Sequence, residues 1–358
     1  QALPPRVPTS LDSGGPRRVP RGAPSGGLVR LLPPSSSRGH LQQDSAMGIL
    51  GLLKAIDGVA KDRHLSECAG QRAAIDGNGW LHTGLSTCAL ELATGVETRR
   101  HIDFCLRRMT MLKRCGVEPI FVFDGEAPAA KSHTQEERRR RRRQKRCEGE
   151  AKLRQGDMSG ARACFAQAIG VGPEMVEALT KELVARGTKF VVAPNEADAQ
   201  LAYLSQNGYV DFCISEDSDL LALGCPRVLF KMKSDGKGRE IQLQDALGGR
   251  SFEQFLAACV LMGCDYLPRL PGVGPKTAFG LTERFGAEPA ALARGARSLG
   301  VNVPRGYIED FEGACRAFFA QSVFDPVTGG AAALGRPRFA GVSGARTARA
   351  SSRSPSRS

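Results

Sequence analysis

The chain of 358 residues carries a formal charge of +13, eleven cysteines and a single tryptophan. No apolar run approaches the length of a membrane span. The cysteines form no Cys-x-x-Cys pair, a pattern that argues against structural zinc and suits a reducing compartment. The charge is unevenly spread: residues 1–46 contribute +4 and residues 336–358 contribute +6, while residues 131–154 hold eleven Lys or Arg against four Glu.

Residues 1–46 are rich in Pro, Gly, Ser and Arg and lack apolar residues at any helical or strand period, so they are expected to be disordered and to lie outside the working protein. Residues 336–358, a Ser/Arg stretch with no acid, read the same way. Between them, residues 47–145 and 146–335 are expected to form one folded unit. It opens on Met47-Gly48-Ile49-Leu50-Gly51-Leu52, where Leu52 occupies the place a myristoylation signal gives to Ser or Thr. Ala73-Ala74-Ile75 then ends at Asp76, and Pro119 to Phe123 ends at Asp124. Lys189 to Ala193 leads into Glu196 and Asp198, and Asp211 to Ile214 runs into Asp217 and Asp219. Continuous apolar runs of this kind predict strands covered on both faces. Helical spacing over Phe104–Arg114, Met175–Ala185 and Phe252–Met262 separates or follows them. The alternation predicts an α/β fold, doubly wound around a mainly parallel sheet, with its ligand at the carboxyl ends of the strands.

Seven carboxylates carry the chemistry: Asp76, Asp124, Glu196, Asp198, Asp217, Asp219 and Asp265. Singly, a strand-end Asp more often caps a helix or makes a turn. Gathered at one edge of one sheet they would repel one another unless hard cations sat among them, and an oxygen-only set points to Mg²⁺ or Mn²⁺. Arg138 to Arg143 form an unbroken arginine run. Such a run reads as a solvated face or a nuclear-import signal and, compatibly, as a basic helix that grips phosphates over the site; the protein is expected in the nucleus. His82 reads as a packed histidine or as a platform for an unpaired base. Gly272, Gly274 and Lys276 lie in a tight turn before a helix, where backbone N–H groups can meet a phosphate.

Together these blocks resemble the XPG / flap-endonuclease family of structure-specific 5′ nucleases. The resemblance rests on Met47 to Leu53, Val122-Phe123-Asp124-Gly125, Ala193 to Leu204, Glu216 to Leu221 and Gly263-Cys264-Asp265-Tyr266-Leu267, in that order. Ser159 to Phe165 and Val323-Phe324-Asp325-Pro326 are similar to the exonuclease branch of the family rather than to the replicative flap endonuclease. That alternative would also call for a sliding-clamp motif that the sequence does not contain. A catalytically inactive DNA-binding relative is the other alternative, and the retained carboxylates speak against it.

The resemblance implies a 5′→3′ double-stranded DNA exonuclease with 5′-flap endonuclease activity, a helical arch and a C-terminal helical hairpin motif. It implies two Mg²⁺ ions held by all seven carboxylates, with Mn²⁺ able to substitute, and Lys131 and Arg138 acting on the scissile phosphate. Gly48, His82, Arg141, Arg142, Gly272, Gly274 and Lys276 would meet the DNA, the expected partner of a monomer that touches no membrane. A K⁺ ion at the hairpin is also implied, although Met262 and Arg269 stand where hydroxyl residues are usual. Asn78 replaces an aromatic residue expected to pack on the duplex end. Mismatch-repair proteins are partners of such nucleases through a long tail expected to be missing here.

Overall fold

The computed structural model describes residues 48–126 and 132–337, so the readings of Met47, Lys131 and the two tails, residues 336 and 337 apart, lie outside the described residues. Seven strands form the main sheet: β1 (Lys61–His64), β2 (Arg72–Asp76), β3 (Glu118–Phe123), β4 (Lys189–Val192), β5 (Phe212–Ile214), β6 (Arg227–Phe230) and β7 (Lys237–Gln242), with β8 (Ser322–Asp325) and β9 (Gly330–Ala333) in a separate hairpin. Their order is β1-β7-β6-β5-β2-β3-β4. β4, β3, β2, β5 and β6 run parallel, whereas β7 is antiparallel to β6 and to β1. The α/β fold with a mainly parallel sheet therefore stands as expected.

The apolar runs form strands because the period of two sends their side chains to opposite faces, both of which are covered. Ala74, Val122, Cys213, Val228 and Phe230 enter one core with the helices Ala197–Gln206 and Phe252–Met262. Ala73, Ile75, Phe121, Phe123, Phe212, Ile214 and Leu229 enter the other, with the helices Gly77–Ser86, Arg100–Arg114 and Pro173–Ala185. β4 departs from the expectation of two covered faces. It is an edge strand, and Val192 remains 47% exposed. The described part of the basic run forms one helix, Ser132–Arg154, packed against Met158–Ala168. None of the eleven cysteines forms a disulfide, and among the described residues no helix is long and apolar enough to cross a membrane.

β7 was not legible as a strand because charge interrupts it, and β6 offers an apolar run of only three residues, Val228 to Phe230. Glu240 of β7 is buried, and its oxygens accept hydrogen bonds from Arg63 of β1 (3.1 Å) and Arg227 of β6 (2.7 Å). Burial would raise its pKa, but the bonds from Arg227 and Arg63 outweigh burial and hold the carboxyl below its ordinary value. A depressed carboxyl pKa stabilises the fold above the unfolded value and loses that contribution as pH falls through the folded one. Glu240→Gln should therefore cost about 2–3 kcal/mol at neutral pH, less than a fully buried pair because both arginines keep some solvent. The cost should shrink as pH drops below the ordinary 4.5. Urea unfolding of both proteins at neutral and acid pH measures it, and a penalty that does not change with pH would refute the linkage.

Candidate active site

All the acidic positions but Asp265, which follows the helix Phe252–Met262, come from strand ends. Asp76 closes β2 and caps the next helix, its Oδ1 accepting the Gly79 N–H at 2.7 Å. The capping reading of this residue is therefore correct, but only for one oxygen. Its Oδ2 accepts the Ser215 hydroxyl at 3.1 Å. Burial raises the Asp76 pKa to about 7; the charges of Asp124 and Asp217 push the same way, against the Gly79 and Ser215 hydrogen bonds. Asp76 of β2 thus feels the charges of Asp124, just after β3, and of Asp217, in the turn after β5, at the carboxyl edge of the sheet.

Asp124 follows β3, and its Oδ1 accepts the N–H of Ala197, the first residue of the helix Ala197–Gln206. Glu196 precedes that helix without capping it through its side chain, and Asp198 lies in the first turn. The wall is tight here: a Cβ on Gly125 would stand 1.9 Å from the Ala193 carbonyl oxygen. After β5, Ser215 Oγ accepts the Asp217 N–H at 3.0 Å, and Asp217 Oδ1 accepts the Asp219 N–H at 2.8 Å. Asp219 is buried. Its charge helps to raise the pKa of the Cys264 thiol, where burial is the larger cause, and Cys264 adjoins Asp265. Both Asp265 oxygens receive Arg138 Nη2, at 2.8 and 3.1 Å, which anchors the basic helix to the acidic edge.

Gly48 sits against this motif with φ +83°, and a Cβ there would lie 2.3 Å from Asp217 Oδ1 and 2.5 Å from Ser218 Oγ. The Ser218 hydroxyl donates to the Ile49 carbonyl. Three residues on, a Cβ at Gly51 would meet Pro275 at 3.1 Å, so one short segment touches both the acidic edge and the hairpin motif.

His82, half-buried on the helix after Asp76, has its pKa lowered by burial and then by the Arg142 charge. The basic helix thus reaches the edge at Arg138 and approaches His82 at Arg142, whose guanidinium also packs where a Cβ on Gly170 would be. Arg141 is exposed. In the hairpin motif, Gly272 takes φ +85° and Gly274 caps the helix Pro275–Phe285. No described atom lies within 4 Å of a Cβ on Gly274, which leaves that approach open, and Lys276 beside it is exposed. Met262 is fully buried, and neither it nor half-buried Arg269 offers a hydroxyl oxygen to a cation.

Among the described residues no group of three or more His, Cys, Asp or Glu side chains is arranged to hold a metal ion as it stands. The donor chemistry nevertheless fits hard cations: every acid at this edge offers oxygen, and the mutual repulsion felt by Asp76 is what a divalent charge relieves. Two supporting roles escaped the sequence reading. Ser215 joins Asp76 to Asp217, and Asn78 Oδ1 accepts the Asp124 N–H at 3.1 Å. A hydroxyl at the end of an apolar strand was the available signal for the first. The second stood out only as the replacement of an aromatic residue, and nothing local marked its bond to Asp124.

The family of the XPG N-terminal domain matches residues 47–145, and that of the XPG I-region matches residues 187–265. Exonuclease 1 of Xenopus laevis is 38% identical over 294 residues, covering 78% of this chain and 40% of the relative. DNA damage-inducible protein DIN7 of Saccharomyces cerevisiae is 32% identical over 294 residues, covering 79% of this chain and 67% of that protein. The chain spans 34–41% of the length of the first five exonuclease relatives it matches. In fold it is similar to the catalytic core of Rad2 in complex with DNA substrate (TM-score 0.59, 20% identity, 81% of this chain and 91% of that one). It is likewise similar to flap endonuclease-1 from Methanococcus jannaschii (TM-score 0.52, 22% identity, 76% and 84%). With both family regions matched in order and DIN7 covered over two thirds of its length, the chain belongs to the XPG family of nucleases.

Proposed function

We propose that the protein is a 5′→3′ double-stranded DNA exonuclease that also cuts 5′ flaps, acting in DNA repair in the nucleus. The observation that carries this reading is the acidic sheet edge with a basic helix joined to it by the Arg138–Asp265 ion pair. Asp76, Asp124, Glu196, Asp198, Asp217, Asp219 and Asp265 would hold two Mg²⁺ ions, whose chemistry is to make water nucleophilic at neutral pH and to neutralise charge on the scissile phosphate.

The chain's own groups supply the rest. Arg138 is 55% exposed and bonded to Asp265, so a phosphate entering the edge can compete for its guanidinium. Lys131, which lies outside the described residues, would share that task. His82, with its lowered pKa, stays neutral at pH 7 and offers a ring face for stacking rather than a second positive charge. Exposed Arg141 and neighbouring Arg142 would hold the backbone, and the N–H groups around Gly272, Gly274 and Lys276 would hold the uncut strand.

A recessed duplex labelled at either the 5′ or the 3′ end tests the proposal. In Mg²⁺ the 5′ label should leave first as short products while the 3′-labelled strand shortens progressively, and EDTA should stop both. Loss of the 3′ label first, or no cleavage in Mg²⁺, would refute it. A 5′-flap substrate in the same assay measures the second activity.

A further inference from the structure

Asn78 stands where an aromatic residue was expected to pack on the duplex end, and the structure gives its side chain a different task. It is the second residue of the helix Gly77–Ser86 and lies between two glycines with no room for a side chain. A Cβ on Gly77 would stand 2.5 Å from Phe123 Cε1, and one on Gly79 would stand 2.2 Å from Asp76 Oδ2. Of these three residues, only Asn78 can reach out from the start of the helix.

Its Oδ1 accepts the Asp124 N–H at 3.1 Å. β3 pairs with β2 as far as Val122 beside Asp76, and with β4 as far as Phe123 beside Val192, so Asp124 lies just past the ladder. A backbone donor at that place needs a partner from outside the sheet. Because the donor is an N–H, the acceptor has to be Oδ1, which fixes the orientation of the Asn78 amide. Asp124 is held at its side chain too, its Oδ1 accepting the Ala197 N–H at 2.8 Å. With backbone and carboxylate both tied, Asp124 has little freedom left. The two bonds join the helix that Asp76 caps to the helix that Glu196 precedes and whose first turn holds Asp198. Four of the seven carboxylates therefore share one frame.

We infer that Asn78 is a positioning residue for the metal site: its bond to Asp124 sets the spacing between the carboxylate that ends β2, the one that follows β3 and the pair at the start of the helix Ala197–Gln206. The inference rests on the cation reading proposed above. Hard cations depend on where several oxygens stand at once, and groups that orient a ligand raise metal affinity without touching the ion. A leucine or phenylalanine side chain here offers the Asp124 N–H no acceptor, whereas an aspartate side chain keeps the oxygen.

The test counts Mn²⁺ bound to the DNA-free protein, by loss of the free-ion electron paramagnetic resonance signal, beside hydrogen exchange at the Asp124 amide. N78L should weaken Mn²⁺ binding by roughly tenfold or more, speed exchange at that amide and leave duplex affinity in EDTA unchanged. N78F, which supplies the expected aromatic ring, should lose Mn²⁺ in the same way. N78D should restore both the slow exchange and the Mn²⁺ binding. Thermal unfolding of each variant checks that it is folded. Mn²⁺ binding by folded N78L or N78F equal to that of wild type would overturn this role and leave the cation reading intact. So would weakened Mn²⁺ binding with exchange at Asp124 unchanged, or N78D losing as much Mn²⁺ as N78L. A wild-type chain that binds no Mn²⁺ would overturn both.

Discussion

Replacing Asp217 with Ala should lower the single-turnover rate in Mg²⁺ by at least about 10³-fold, equivalent to some 4 kcal/mol of lost transition-state stabilisation, while the protein stays folded and binds duplex DNA. Asp217 Oδ1 accepts the Asp219 N–H, and its charge contributes to the raised pKa of Asp76. The side chain therefore belongs to the acidic edge rather than to a core. Removing it takes one oxygen donor from the proposed cation set, and hard cations depend on the number and placement of such donors. The fold has little reason to fail, since losing one of several like charges relieves repulsion around Asp76 and a surface-cleft change usually lies within about 1 kcal/mol. Cleavage rate, duplex affinity in EDTA and metal-free unfolding midpoint separate these effects. Near-normal turnover would remove Asp217 from the ligand set, and a collapsed midpoint would show a structural role instead.

Gly48→Ala should lower turnover by at least about 10²-fold, or roughly 2.7 kcal/mol, through a different physical route. Gly48 adopts a left-handed conformation, and its added Cβ would fall 2.3 Å from Asp217 Oδ1 and 2.8 Å from the Ser218 N. Backbone cannot yield cheaply, so the acidic turn has to move. Catalytic geometry is sensitive to displacements of about 1 Å. The left-handed strain itself costs roughly 1–2 kcal/mol of stability, which by itself would not slow a folded enzyme. Gly70→Ala supplies the comparison: Gly70 has φ +81° but nothing within 4 Å of its Cβ position. It should lose similar stability and keep its turnover. If both variants retained full turnover, the contact between Gly48 and the acidic turn would have no catalytic consequence.

The elements legible in the sequence were those whose signal is local. β2, β3 and β5 announced themselves as apolar runs ending in acids, and Phe252–Met262 by its helical spacing, because burial on two faces or on one stripe leaves a periodic trace. β1 reads Lys-Asp-Arg-His and leaves no such trace. β6 and β7 join the sheet around Glu240 with Arg63 and Arg227, an arrangement whose sense appears only once all three strands pair. The same division runs through the site. The identities of Asp76, Asp124, Glu196, Asp198, Asp217, Asp219 and Asp265, and the basic character of 138–143, are properties of the chain as written. Tertiary structure alone decided that Arg138 reaches across 127 positions to Asp265, that Ser215 joins Asp76 to Asp217, and that Gly48 has no room for a side chain. Local residue types set which chemistry is available. Contacts between distant segments set where it stands, because they depend on how the strands stack, and no short-range pattern encodes that.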